Sequence, residues 1–184
     1  MSRRKRRIIT ELVVILAIAA LTSFLVRLYA VQTFFIPSKS MNPTLHTGDR
    51  ILVDKLSVRF GSINVGDIIV FKAPPAEHCD DGNYSDLVKR VIGVPGQTLT
   101  SKGNTVYVST TLHPQPRKLH EPWTYFPTLN PPIKRFTVPA NNYFVMGDNR
   151  ANSCDSRFWG VVPRSDIIGK AFFRIWPLSR IGSL

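Results

Sequence analysis

The sequence predicts a mostly β body carried behind one N-terminal transmembrane helix. From Ile8 to Val26 the chain runs 19 residues with a single charge, Glu11. Beyond residue 31 no long 3.6-residue apolar period appears, while short runs rich in Val, Ile, Phe and Tyr recur between Gly, Asn, Asp and Pro. The length of 184 residues leaves room, after one membrane segment, for a single core of about 150 residues.

The helix comes first. At about 1.5 Å per residue the apolar run just crosses about 30 Å of hydrocarbon. The cluster Arg3-Arg4-Lys5-Arg6-Arg7 holds its leading end on the cytoplasmic side and sends everything after Arg27 across. The expected organisation is a basic tail over 1–7, an anchor over 8–27 and an exocytoplasmic body over 28–184. A cleaved signal peptide would share the basic and apolar parts and offer Ala17, Ala19 and Ala20 as small residues. Those alanines lie inside the apolar run, which Phe24-Leu25-Val26 continues, so a retained anchor is the reading.

Seven strands are expected, over Thr33–Ile36, Arg50–Lys55, Asp67–Lys72, Leu87–Val94, Thr105–Ser109, Tyr143–Met146 and Ile168–Ile175. Lys102-Gly103-Asn104 supplies a positive-φ turn, which makes Thr98–Ser109 a hairpin. Two stretches read as surface excursions: the polar loop Ala73–Asp86, and Leu112–Lys134, whose six prolines exclude a central strand.

The formal charge of +12 invites a nucleic-acid partner, but the N-terminal segment concentrates it. Removing residues 1–27 leaves 18 basic against 11 acidic residues, scattered without a basic stripe or aromatic platform, so nucleic acid is not a partner. The adjacent residues His78-Cys79-Asp80-Asp81 lack the separated spacing of a tetrahedral metal site, and no metal is expected. In an oxidising compartment Cys79 and Cys154 are open to a disulfide or to two separate thiols, and sequence does not choose between them.

The chemistry lies in Pro37-Ser38-Lys39-Ser40-Met41-Asn42-Pro43-Thr44-Leu45, about ten residues past the apolar segment. A serine hydroxyl is a poor nucleophile without a base beside it. None of the four histidines, His46, His78, His113 and His120, sits in a motif used for acyl transfer. A lysine serves instead when apolar surroundings disfavour its ammonium form. Lys89, in Leu87-Val88-Lys89-Arg90-Val91-Ile92-Gly93, suits that role. With a period of two it shares a face with Val91, while Val88 and Arg90 take the other, so the Lys-Arg pair is expected to split, one inward and one outward.

A third run, Met146-Gly147-Asp148-Asn149-Arg150-Ala151-Asn152-Ser153-Cys154-Asp155-Ser156-Arg157, completes the set. Together the three runs closely resemble the type I signal peptidases, or leader peptidases, of the bacterial Ser/Lys-dyad branch. The resemblance reaches from the basic N-terminus to Ile168-Gly169-Lys170-Ala171 and is weak only over 73–86 and 98–140.

That resemblance implies a fold, a set of site residues and a substrate. The body is an antiparallel β catalytic domain with a small β/loop cap inserted over 98–141. Ser40 is the nucleophile, Lys89 its general base, and Ser38 joins the Ser40 amide in an oxyanion hole. Ser153 orients the lysine, and Asp155 with Arg157 braces the last run. Phe34, Ile36, Met41, Leu45 and Val88 line apolar substrate pockets. The substrate is an exported preprotein, cut after a small-X-small signature such as Ala-X-Ala by a monomer in the plasma membrane, in contact with the lipid bilayer and with no cofactor.

Two positions depart from the family pattern: Ala151 replaces a usual Asp, and Lys39 stands where Gly or Glu is common. The competing readings are a related Ser/Lys peptidase of a conjugation or specialised secretion system, a self-cleaving repressor, and an inactive membrane-anchored module that binds preproteins. The missing DNA-binding region opposes the repressor, and the intact Ser38, Ser40, Lys89 and Ser153 oppose the inactive module.

Overall fold

The computed structural model describes residues 3–75, 84–124 and 129–184. In chain order the elements are α1 (Arg3–Tyr29), β1 (Val31–Phe35), β2 (Arg50–Asp54), α2 (Leu56–Phe60), β3 (Ile68–Lys72) and β4 (Asp86–Gly93). There follow β5 (Thr98–Lys102), β6 (Thr105–Ser109), β7 (Arg117–Lys118), β8 (Phe136–Thr137), β9 (Asn142–Met146), α3 (Ser156–Trp159), β10 (Val162–Pro163), β11 (Ile167–Trp176) and β12 (Gly182–Ser183). The protein is mostly β, as its residue pattern predicts.

α1 is a continuous helix of 27 residues with neither Gly nor Pro to interrupt it. Its window Arg7–Phe24 has a mean hydropathy of 2.0, and no part of it is buried against the protein. Leu12, Ile15, Leu16 and Phe24 point away from any protein partner. By length and composition the helix is long and apolar enough to cross a membrane.

The main sheet runs in the order β1-β2-β11-β3-β4-β9-β10, antiparallel throughout, with β12 added against β11. In β3 the alternation of side chains sorts the core: Ile69 and Phe71 join one apolar cluster, while Ile68 and Val70 join another. Both faces are therefore covered, and β3 is buried over Ile68–Phe71.

A second sheet, β7-β6-β5-β8, is built from 98–137. The β5–β6 pair is the expected hairpin: Lys102 pairs with Thr105, and Gly103 takes a φ of 56°. A third cluster, with Ile92, Leu99, Val106, Phe144 and Met146, packs this sheet against the end of β4 and β9. The Pro-rich stretch contributes only β7 among the described residues, a two-residue edge strand, where prolines are tolerated.

All seven expected strands form, with boundaries shifted by a residue or two. One expectation about β4 is overturned. Lys89 and Arg90 do not split between core and solvent, for Arg90 is only 6% exposed and Lys89 2%. β4 lies between β3 and β9 with packing on both of its faces, so alternation moves a side chain from one covered face to the other.

Candidate active site

Three segments distant in sequence meet at Ser40. The first is the turn after β1. Asn42 N–H donates to the Lys39 carbonyl at 3.1 Å and Leu45 N–H to the Met41 carbonyl at 2.9 Å, so the chain coils once. That places Met41 and Leu45 on one side of the coil. Both are fully buried, at 1% and 0%, and peg the turn into the core beside Ile36 and Ile51. Ile36 and Gly48 close the loop through Ile36 N–H to Asp49 O and Gly48 N–H to Ile36 O, each 2.9 Å. The buried Asp49 carboxylate takes both of its oxygens to Arg180 Nη1 at 3.0 Å, and Arg174 Nη1 donates to Thr44 O at 2.8 Å.

The second segment is β4. Lys89 lies opposite Ile69 in the sheet interior, and its Nζ reaches Ser40 Oγ at 2.8 Å. Ser38 Oγ sits 3.2 Å from Ser40 Oγ. The lysine side chain is almost wholly removed from solvent, at 2% exposed.

The third segment joins β9 to α3. Asn149 N–H donates to Ser40 O at 3.0 Å. Gly147 passes so near that an added Cβ would lie 2.4 Å from Ser40 O and 2.3 Å from Ser153 Oγ, which no other residue can satisfy without moving backbone. Asp155 and Arg157 form a doubly bonded ion pair, with Nε–Oδ1 and Nη2–Oδ2 both 2.8 Å, closed to solvent at either side chain. Asp155 also accepts from Gly147 N–H at 3.1 Å and from Arg157 N–H at the start of α3. Arg157 in turn donates to the carbonyls of Arg150 and Ser153.

Two ion pairs that sequence reasoning did not assign brace these segments, one buried between Asp148 and Arg90 and one part-buried between Arg150 and Glu121. Asp148 accepts from Arg90 Nε at 2.8 Å, from Arg90 Nη2 at 2.6 Å and from Thr44 Oγ1 at 2.5 Å, so one carboxylate ties the serine turn to the strand carrying Lys89. Arg90 further donates to Gly66 O and lies 4.6 Å from the ring centre of Trp123. Arg150 bonds Gly147 O through Nε and pairs with Glu121. The positions of Arg90 beside Lys89 and of Asp148 beside Gly147 were visible signals. Glu121 gave none, lying in a Pro-rich stretch without periodicity.

The expected site residues fall into place unevenly. Ser40, Lys89 and Ser38 converge. Ser153 lies beside Gly147, yet its Oγ is buried without a hydrogen-bond partner among the described residues, so the bond from Ser153 to the lysine is not formed in this arrangement. Phe34, Ile36, Met41 and Val88 line a groove of about 250 Å³ that opens on Ser40 and Lys89. Leu45 does not line it: its side chain is the lower peg of the turn and is wholly core. Tyr84, Asp86, Leu87 and Val70 line the groove without having been singled out. Cys154 is disulfide-bonded; Cys79, with His78, Asp80 and Asp81, lies outside the described residues.

Comparison with known proteins identifies the family. A family model described as signal peptidase, peptidase S26, matches residues 9–176. The chain is 42% identical over 178 residues to a probable signal peptidase I-1 of a Synechocystis strain, an alignment covering 96% of this chain and 87% of the relative. It is 34% identical over 184 residues to signal peptidase IB of Staphylococcus aureus strain COL, covering 93% and 91%. A crystal structure of a signal peptidase I from Enterococcus faecalis V583 aligns at 29% identity with a TM-score of 0.45, over 59% of this chain and 96% of that one.

Proposed function

Because the chain belongs to the signal peptidase family, peptidase S26, whose members process preproteins bearing signal peptides, we propose that it is a membrane-anchored serine endopeptidase working through a Ser40/Lys89 dyad. The observation that carries this reading is the 2.8 Å approach of Lys89 Nζ to Ser40 Oγ, with the lysine 2% exposed in a sheet interior. At that distance a neutral amine is able to accept a hydrogen bond from the Ser40 hydroxyl, the contact through which a general base takes a proton.

The reaction begins when Ser40 Oγ attacks the scissile carbonyl while Lys89 takes its proton. The oxyanion is held by the Ser40 N–H and the Ser38 hydroxyl. The protonated Lys89 gives its proton to the leaving amine, which departs with the mature protein. Water then attacks the acyl-enzyme, with Lys89 again as base, and the signal peptide leaves. Asp148, Asp155 and Arg157 hold the three segments in register.

Strand geometry supports cleavage after a small-X-small sequence. β1 is an edge strand, so its unpaired side offers backbone donors and acceptors to an extended peptide. Residues i and i+2 of that peptide then face the groove together. A groove of about 250 Å³ floored by Ile36, Met41 and Val88 has room for small side chains at both positions.

The anchor over 8–27 has the cytoplasmic basic tail 1–7 on one side and a monomeric catalytic body 28–184 on the other, with 98–141 as an inserted cap. Sharing one bilayer raises the effective concentration of enzyme and preprotein without any added contact. The test is processing of a preprotein by purified full-length protein in detergent, beside its Ser40→Ala and Lys89→Ala variants. The reading expects loss of at least a thousandfold in each variant, and full processing by either one refutes the dyad.

A further inference from the structure

Lys39 stands between Ser38 and Ser40, is exposed, and has no part in the steps above. With Ser38, Ser40, Asn152, Ser153 and Phe158 it lines a second cleft of about 340 Å³. This cleft shares only Ser38 and Ser40 with the groove described above. The two therefore meet at the nucleophile. A peptide whose acyl part lies along β1 in the first must pass its leaving-group part into the second.

The charge there is one-sided. Among the described residues Lys39 is the only titrating group that lines the second cleft, since Cys154 is disulfide-bonded. The acids nearest in sequence to the residues lining the cleft are already engaged: Asp49 is 1% exposed on Arg180, Asp148 0% on Arg90 and Asp155 0% on Arg157. No ion pair among the described residues includes Lys39. Ala151, also in the lining, supplies no carboxylate to offset it. An ammonium on a flexible stem thus overlooks the place where the first residues of the released protein must lie.

We propose that this cleft is a binding site for an acidic side chain on the leaving-group side of the scissile bond, with Lys39 as the group that selects it. The inference rests on the Ser40/Lys89 reading. It deepens that reading by naming what is preferred beyond the cut. The attraction acts across partly solvated space, so it amounts to about a fivefold preference at low salt and fades as ionic strength rises.

The experiment uses three fluorogenic peptides identical except for Glu, Gln or Lys at the second residue after the scissile bond, with the full-length protein in detergent. Expected for the parent protein is kcat/KM in the order Glu, Gln, Lys. Lys39→Glu inverts that order and Lys39→Gln flattens it. Any effect of position 39 on Lys89 is common to all three peptides and cancels in the ratios. Cleavage of all three with the same ratios in parent and Lys39→Glu overturns the acidic subsite and leaves the dyad standing. Cleavage of none of them by the parent protein overturns both.

Discussion

Gly147→Ala gives the most direct measure of how tightly the site is assembled. The new Cβ would stand 2.4 Å from Ser40 O, while ordinary contact begins at 3.4 Å, so the carbonyl must retreat by about 1.0 Å. Ser153 Oγ, at 2.3 Å, can rotate away, but Ser153 Cβ, at 2.6 Å, moves only with its backbone, and Ser40 O is backbone held by Asn149 N–H at 3.0 Å. Moving that carbonyl carries Ser40 Oγ off its 2.8 Å contact with Lys89. A misplacement of about 1 Å costs on the order of 100-fold in rate, and overpacking costs about 1–3 kcal/mol of stability. For a chain of this size that is a fall in Tm of about 2–12 °C. The assay is kcat/KM on a signal-peptide substrate with thermal denaturation in parallel. Gly169→Ala is the control: its Cβ would meet Asp54 O at 2.6 Å, an equally hard clash placed between β11 and β2. It should lower Tm and spare kcat/KM of the folded enzyme. A Gly147→Ala protein within about threefold of the parent would refute the argument that this close approach positions Ser40 for the proposed dyad.

Two further outcomes separate scaffold from site. Arg90→Met leaves the fully buried Asp148 carboxylate without its charged partner and should destabilise by about 3–5 kcal/mol, read by urea denaturation, whereas Arg90→Met with Asp148→Leu should recover much of the loss. Leu45→Ala should cost about 2–5 kcal/mol as a core cavity and leave the choice of residue before the cut unchanged, while Val88→Ala, in the groove, should admit larger residues there when products are mapped by mass spectrometry.

Local signals were the legible ones. The strands announce themselves because alternation and turn residues are short-range: Gly103 and Asn104 alone specify the β5–β6 hairpin. The serine turn and Lys89 are legible as chemistry because a hydroxyl needs a base and no histidine is suitably placed. Arg90 escapes such reading because period two tells which side of a sheet a residue takes and not whether that side is covered. Its cover includes Trp123, from the stretch expected to be a surface excursion. Leu45 is misplaced for a related reason: a buried apolar residue four positions after another is the signature of a packed coil, and turn chemistry alone does not reveal the coil.

The order of the main sheet also bears on when this protein can first act. β11, the longest strand, lies between β2 and β3 and pairs with both. Among the described strands it alone pairs with both the half of the sheet that leads into Ser40 and the half that holds Lys89. A polypeptide still emerging from the ribosome has both reactive residues long before residues 167–176 are available to join them. Vectorial synthesis therefore leaves the two halves of the sheet unjoined by strand pairing until β11 has been made.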